Sequence, residues 1–210
     1  MIKLFTLSVL NFFDFFHKKK LLAFLKKNKF DNFKIVFDVG AHKGETIELF
    51  LKHFKIEKLY SFEASYISFE NLKKRINKIL IKKIKSKVII ENIALGKENK
   101  EIKIKHMNES SSSTIKEFNT SSDYFKKKRK LLFNFKKHNF FKEITAYQQS
   151  IDDYMLKKKI LKLDFLKIDT EGYEFEILLG AKKNIKNINI ILFEHHYHDM
   201  IKKNYKFSDV

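Results

Sequence analysis

The feature that most constrains this chain is an alternation that begins at Lys34. "KIVFDVG" is a short β-branched run ending in Asp38 and Gly40, and "GETIELFLKHF" follows with Ile47, Phe50, Leu51 and Phe54 at helical spacing. "KLYSFEA" reads as a second strand, "SYISFENLKKRINKIL" as a second helix and "KVIIENIAL" as a third strand. A β-α-β-α-β order requires a parallel sheet with right-handed crossovers. The expected fold is α/β, an open and mostly parallel sheet with helices on both faces.

The same texture returns late in the chain. "SIDDYMLKK" reads as a helix, "DFLKID" as a fourth strand, "EGYEFEILLGAKKNI" as a helix and "NINIILFE" as a fifth strand. Between the two blocks, "EIKIKHM" and "EITAYQQ" alternate as strands do, and "NESSSSTIKEF" reads as a polar loop. Residues 122–142 are basic and aromatic and read as a helical insertion or lid. The organisation expected is a helical lead-in over 1–32 and one domain over 33–210, with an insertion at about 106–145; a length of 210 residues suits one domain with a sizeable core.

Apolar residues make up 44% of the chain, a globular composition. There is no cysteine, which excludes disulfides and thiolate metal sites and fits a cytoplasmic location. The net charge of +19 suits nucleic acid or an anionic membrane surface. Compositional drift explains it better. Lys, Ile, Asn and Phe are abundant, Pro and Trp are absent, and the lysines lie in scattered runs such as Lys18–Lys20 and Lys157–Lys159. In the N-terminal segment Asn11 and Asp14 interrupt the apolar stretch too early for a spanning helix. A leading helix that packs on the domain is the preferred reading, and peripheral membrane contact is the other.

Only five glycines occur, and Gly40, Gly44, Gly172 and Gly180 fall in two short motifs. In "FDVGAHKGE" the spacing Gly-x-x-x-Gly differs from the Gly-x-Gly-x-x-Gly of dinucleotide cradles. Asp38 would repel a pyrophosphate there. It suits a ligand with an ammonium group, which S-adenosylmethionine carries beside its sulfonium. Glu63 ends the second strand, near the spacing expected of an acid that takes both ribose hydroxyls. Asn92, late in the third strand, is a candidate for the adenine edge, with Ala94 and Leu95 beside the ring. His42, inside the first loop, joins this cofactor set.

The second motif is "LKIDTEGYEFEILLGAKK". Asp169 ends the fourth strand, which in this topology lies beside the first on the far side from the second. Thr170 and Glu171 are expected to begin the next helix, where the dipole favours acids. Glu174 reads as ordinary charge at a helix start. "FEHHYHD" gathers three histidines and two acids, but in no spacing typical of a metal site, so no metal is expected.

"FDVGAHKGE", "FEAS", "NIALG", "SIDDY", "LKIDTEGYEFEILLGA" and "ILFEHH" resemble, in order from about Phe33 to Glu194, the FkbM-type family of S-adenosylmethionine-dependent methyltransferases. The resemblance implies a class I Rossmann-like fold and methylation of a hydroxyl on a sugar, a glycan or a small natural product. It implies cofactor contacts at Asp38, Gly40, Gly44 and Glu63, and chemistry near Asp169 and Glu171. It also implies a substrate loop at Ser111 and Ser112. Such enzymes usually close the sheet with two more strands, which this sequence lacks, so a second copy or a completing partner is an expectation.

Methyl transfer to a hydroxyl needs alignment and a base within hydrogen-bond reach. Asp169 or Glu171 is the candidate base, with His195 or His196 as alternatives near the substrate. Three rivals remain. A nucleic-acid methyltransferase fits the charge, but amino-group enzymes of that kind often use an Asn/Asp-Pro-Pro-aromatic motif at the fourth strand, where this chain has Asp-Thr-Glu-Gly. A non-catalytic interaction protein fits the missing strands. A nicotinamide dehydrogenase is disfavoured by the first loop.

Overall fold

Val36 and Phe37 are adjacent in sequence, fully buried, and packed into different cores. That is the signature of a strand covered on both faces, and it follows from the period of two along a strand. The computed structural model describes residues 18–79, 86–107, 113–132, 141–194, 199, 201–202 and 205–209. In chain order the elements are a helix over 18–27 (α1), β1 (Asn32–Val39), α2 (Glu45–His53), β2 (Lys55–Phe62), α3 (Tyr66–Ile79), β3 (Val88–Glu91), β4 (Ala94–Leu95) and β5 (Lys100–Met107). There follow β6 (Ser113–Thr114), α4 (Asp123–Leu132), β7 (Phe141–Gln149), α5 (Ile151–Lys158), β8 (Leu163–Ile168), α6 (Glu174–Leu179) and β9 (Ile188–Phe193).

The main sheet has the order β3-β2-β1-β8-β9, and every pairing in it is parallel. β1 is central, and β8 lies on its far side from β2, as the sequence implied. On one face α1, α2 and α3 bring Leu25, Ile47, Phe50, Leu72 and Ile76 onto Val36 and Phe165. On the other, α5 and α6 bring Ile151, Tyr154, Met155 and Ile177 onto Phe37 and Leu166. Phe37 meets Phe62 and Tyr154 edge to face at 5.1 and 5.6 Å. Phe33 and Phe50 do the same against Phe165 on the opposite face, at 5.5 and 5.1 Å. Truncating any of these rings to alanine costs about 3–5 kcal/mol.

The helices carry their own signals. Ser150 caps α5 by accepting from the Asp153 amide at 3.0 Å. Glu45 and Glu48 lie in the first turn of α2, and Lys52 in its last, each complementing the dipole.

Three elements differ from the sequence reading. "KVIIENIAL" is two strands in two sheets: β3 closes the main sheet, and β4 pairs with β7 in a second sheet of order β4-β7-β5-β6. Asn92 sits at the break, its amide donating to the carbonyls of Glu63 and Ala64. "NESSSSTIKEF" contains β6, whose Thr114 pairs with Lys105. The helix after the fourth strand is short and begins at Glu174, not at Thr170. Glu171 (φ 52) and Gly172 (φ 95) are left-handed, which a right-handed helix cannot accommodate.

The alternating segments form the hairpin of β5 and β7, antiparallel from Lys100↔Gln148 to Met107↔Phe141. Their inward residues Ile102, Ile104, Ile144 and Ala146 build a small separate core. No helix among the described residues is long and apolar enough to cross a membrane.

Candidate active site

The loop after β1 turns three times through left-handed backbone, at Gly40 (φ 81), His42 (φ 46) and Gly44 (φ 83). This path points its amides at the end of β2. Gly40 and Ala41 both donate to the Phe62 carbonyl at 3.0 Å, and His42 N–H donates to Glu63 Oε2 at 2.9 Å. The other oxygen, Glu63 Oε1, accepts from the Ser65 amide at 2.9 Å. Glu63 is thus clasped between two loops and is 6% exposed. Burial pushes its carboxyl pKa up, against the pull of the Ser65 and His42 amides. A carboxylate has about four acceptor sites, so two are left for ribose hydroxyls. Asn92, exposed, and Ala94, buried, follow β3.

Asp38 is fully buried. In the parallel register it stands beside Lys167 of β8, and the Lys167 Nζ lies 3.2 Å from its Oδ1. The contact is an ion pair, and no aligned hydrogen bond reaches either Asp38 oxygen among the described residues. Two residues on, Asp169 shares the face of Lys167 and accepts from the same Nζ at 3.2 Å. Burial opposes the charge on Lys167, but Asp38 and Asp169 outweigh it and raise the ammonium pKa above its ordinary value. For Asp38 burial dominates and pushes its pKa up, with Lys167 pulling the other way.

Lys167 was not singled out from the sequence. A lysine in the apolar run "LDFLKI", two before an acid, was the available signal.

The turn from Thr170 to Tyr173 is organised by Glu174. This carboxylate is fully buried, and its Oε1 accepts from the Gly172 amide at 2.9 Å and the Thr170 amide at 3.3 Å. Its Oε2 accepts from the Tyr205 hydroxyl at 2.6 Å. The reading of Glu174 as plain helix-start charge is therefore corrected: only a buried acceptor in this position satisfies a turn whose backbone leaves the helix. Thr114 Oγ1 donates to the Glu171 carbonyl at 2.9 Å, tying β6 to the same turn.

A cleft of about 790 Å³ opens at the carboxyl ends of β1, β8 and β9. Gly40, His42, Glu45, Lys167, Asp169 and Glu194 supply its polar lining, and Leu21, Leu49, Phe50 and Phe193 its apolar wall. Glu45 is charged there. Burial opposes ionisation, but the His42 side chain, its own backbone amide and Arg75 lower its pKa to about 2. Asp169 lines the cleft and Glu171 does not; Glu63, Asn92 and Ala94 lie beyond its lining, toward β2 and β3. His106 of β5 reaches Ser65 from the second sheet, its Nδ1 3.1 Å from Ser65 Oγ, and burial lowers its pKa. Ser111, Ser112, His195 and His196 lie outside the described residues. Among the described residues no group of three or more His, Asp or Glu could hold a metal ion.

These residues fit S-adenosylmethionine in chemistry. Glu63 has acceptor capacity for a ribose, and Glu45, Asp169 and Glu194 surround the cleft with negative charge suited to a sulfonium.

Residues 38–210 match the model of the Methyltransferase FkbM domain. A solved structure of methyltransferase FkbM from Methylobacillus flagellatus KT is 17% identical, with a TM-score of 0.45. The likeness covers 73% of this chain and 30% of that one, so this chain spans less than a third of that protein's length. No curated protein matches the chain. With the family model covering everything from Asp38 onward, the chain belongs to the FkbM-type family of S-adenosylmethionine-dependent methyltransferases.

Proposed function

We propose that this protein transfers a methyl group from S-adenosylmethionine to a hydroxyl of a sugar, a glycan or a small natural product, with Asp169 taking the hydroxyl proton. The observation that carries this reading is the position of Asp169. Its side chain is 39% exposed, lines the cleft, and follows the strand beside the cofactor loop. Lys167 grips Oδ2. Oδ1 is then the oxygen that faces an acceptor.

Bound S-adenosylmethionine supplies a methyl group on a positively charged sulfur. The chain's own residues do the rest. Glu63 and the His42 loop orient the ribose, the apolar wall excludes water, and Asp169 accepts the proton as the acceptor oxygen gains its methyl. Asp169 is preferred to Glu171 because Glu171 is outside the cleft lining. A nucleic-acid acceptor is disfavoured because Glu45, Asp169 and Glu194 would repel phosphates at the cleft.

The test begins with calorimetric titration of S-adenosylmethionine and S-adenosylhomocysteine into the wild type and Glu63→Ala. Weakened binding in the variant supports the cofactor reading. A screen of hydroxyl acceptors follows, with Asp169→Asn expected to bind cofactor and lose transfer. Full turnover by Asp169→Asn would overturn the base assignment, and salt-sensitive binding of DNA or RNA would favour the nucleic-acid reading.

A further inference from the structure

Asp38 and Lys167 present an arrangement that the proposed reaction leaves unexplained. The acid is fully buried and does not line the cleft, while the lysine beside it does. Lysine side chains are rarely this enclosed without a partner. Here there are two: Asp38 Oδ1 and Asp169 Oδ2, each 3.2 Å from Nζ. An ammonium has three N–H donors. Asp169 takes one, and Asp38 pairs with the nitrogen by charge. Donor capacity is left on a nitrogen whose side chain is 16% exposed, at the edge of the cleft and next to the Gly40 loop.

The neighbourhood keeps this nitrogen charged. Both carboxylates raise its pKa, so Lys167 is a donor and not a base at neutral pH. It is also held in place, because β1 and β8 are hydrogen-bonded in register through Asp38↔Lys167. A fixed, charged donor of this kind costs little further ordering when it binds an anionic group. Among the described residues that line the cleft, the other cations are Lys18 of α1 and, when protonated, His42; the acids are Glu45, Asp169 and Glu194. Lys167 is in direct contact with the base proposed for the reaction, 3.2 Å from its Oδ2.

We propose that Lys167 binds the α-carboxylate of the methyl donor's amino-acid end, so that this residue selects a donor that carries a carboxylate. The inference rests on the cofactor reading above and adds the group that its amino-acid end meets. Asp38 then acts through Lys167 as a positioning residue: it holds the ammonium charged and aimed without touching the ligand. The buried acid of the first motif, expected from sequence to meet the cofactor ammonium, is reassigned in this proposal to a supporting role.

The test uses two probes, S-adenosylmethionine and its decarboxylated form, which keeps the sulfonium and the amine and lacks only the carboxylate. Each is titrated calorimetrically into the wild type, Lys167→Met, Lys167→Arg and the double variant Asp38→Asn/Lys167→Met. The double variant removes the buried charge that Lys167→Met leaves behind, and so guards against misfolding. Loss of one charge-assisted hydrogen bond corresponds to roughly 10- to 100-fold in affinity. The wild type is expected to prefer the carboxylated donor by about that factor, Lys167→Arg to keep most of the preference, and both methionine variants to bring the ratio near one.

A wild type that binds the two donors equally overturns the proposal. So does a folded double variant that keeps the wild-type ratio, or one that weakens both donors equally. A wild type that binds neither overturns the cofactor reading itself, a different failure from loss of discrimination.

Discussion

A Cβ on Gly40 would lie 1.9 Å from the carbonyl oxygen of Asp169. The loop after β1 and the proposed base are therefore packed backbone to backbone, and the Asp169 amide returns the contact by donating to the Val39 carbonyl at 3.0 Å. Gly40 also sits at φ 81, which a side chain resists. Gly40→Ala is expected to cost about 1–3 kcal/mol in backbone strain alone. Forcing the loop off Asp169 is expected to weaken S-adenosylhomocysteine binding as well. Urea unfolding and calorimetry on one preparation check both, and an unchanged midpoint would show that the loop accommodates the methyl group.

Glu63 accepts one backbone amide on each oxygen, from His42 and from Ser65. A glutamine in its place turns an NH₂ toward one of those donors. Glu63→Gln is therefore expected to leave one amide without an acceptor, at a cost of about 1–3 kcal/mol. It should also weaken a probe that carries the adenosine but no amino-acid end, such as methylthioadenosine. Equal affinity of wild type and variant for that probe would remove Glu63 from the ribose.

Much of this was legible in the sequence. The order of the main sheet followed from the βαβ alternation, because crossovers allow few alternatives. The scarcity of glycine marked Gly40 and Gly44, whose backbone is left-handed, and Gly180, whose Cβ would lie 1.9 Å from the Gly96 carbonyl. What was hidden depended on partners far along the chain. Nothing local tells that Asn92 breaks a strand by bonding the carbonyl of Glu63, 29 residues away. Glu174 looked like helix-start charge because its tyrosine partner comes from Tyr205, 31 residues on. Lys167 resembled one more lysine in a lysine-rich chain until the register of β1 and β8 set it against Asp38.

Glu45 predicts a pH dependence. Its folded-state pKa is lowered from 4.5 to about 2, despite burial, by the His42 side chain, its own amide and Arg75. A carboxyl group whose pKa falls on folding binds fewer protons in the native state. Its contribution to stability is then fully present above 4.5 and is lost as the pH falls from there through about 2. Glu45→Gln should therefore be less stable than wild type at neutral pH, and the two unfolding midpoints should converge as the pH drops across that window. A gap that stays constant would mean that the effect of Glu45 is packing and not charge.

The Tyr205 hydroxyl donates to Glu174 Oε2 at 2.6 Å, and its ring stacks on Phe175 at 5.2 Å. The neighbouring Lys202 amide donates to the Glu117 carbonyl at 2.9 Å, and Ile201 bridges to Phe118. One short stretch of chain thus touches both the insertion and the turn that follows Asp169. Tyr205→Phe keeps the stacked ring and removes only the donor. It is expected to cost about 1–3 kcal/mol, because a buried carboxylate oxygen loses its partner. The consequence should be local first. The Thr170 and Gly172 amides, both bonded to Glu174 Oε1, are expected to exchange hydrogen faster, while β1 and β8 keep their protection. Glu174→Ala removes the acceptor itself and should release both amides and destabilise the fold by more than the tyrosine change. If Tyr205→Phe leaves exchange at Gly172 as slow as in the wild type, the turn is held by Glu174 alone and the aromatic contact is packing only.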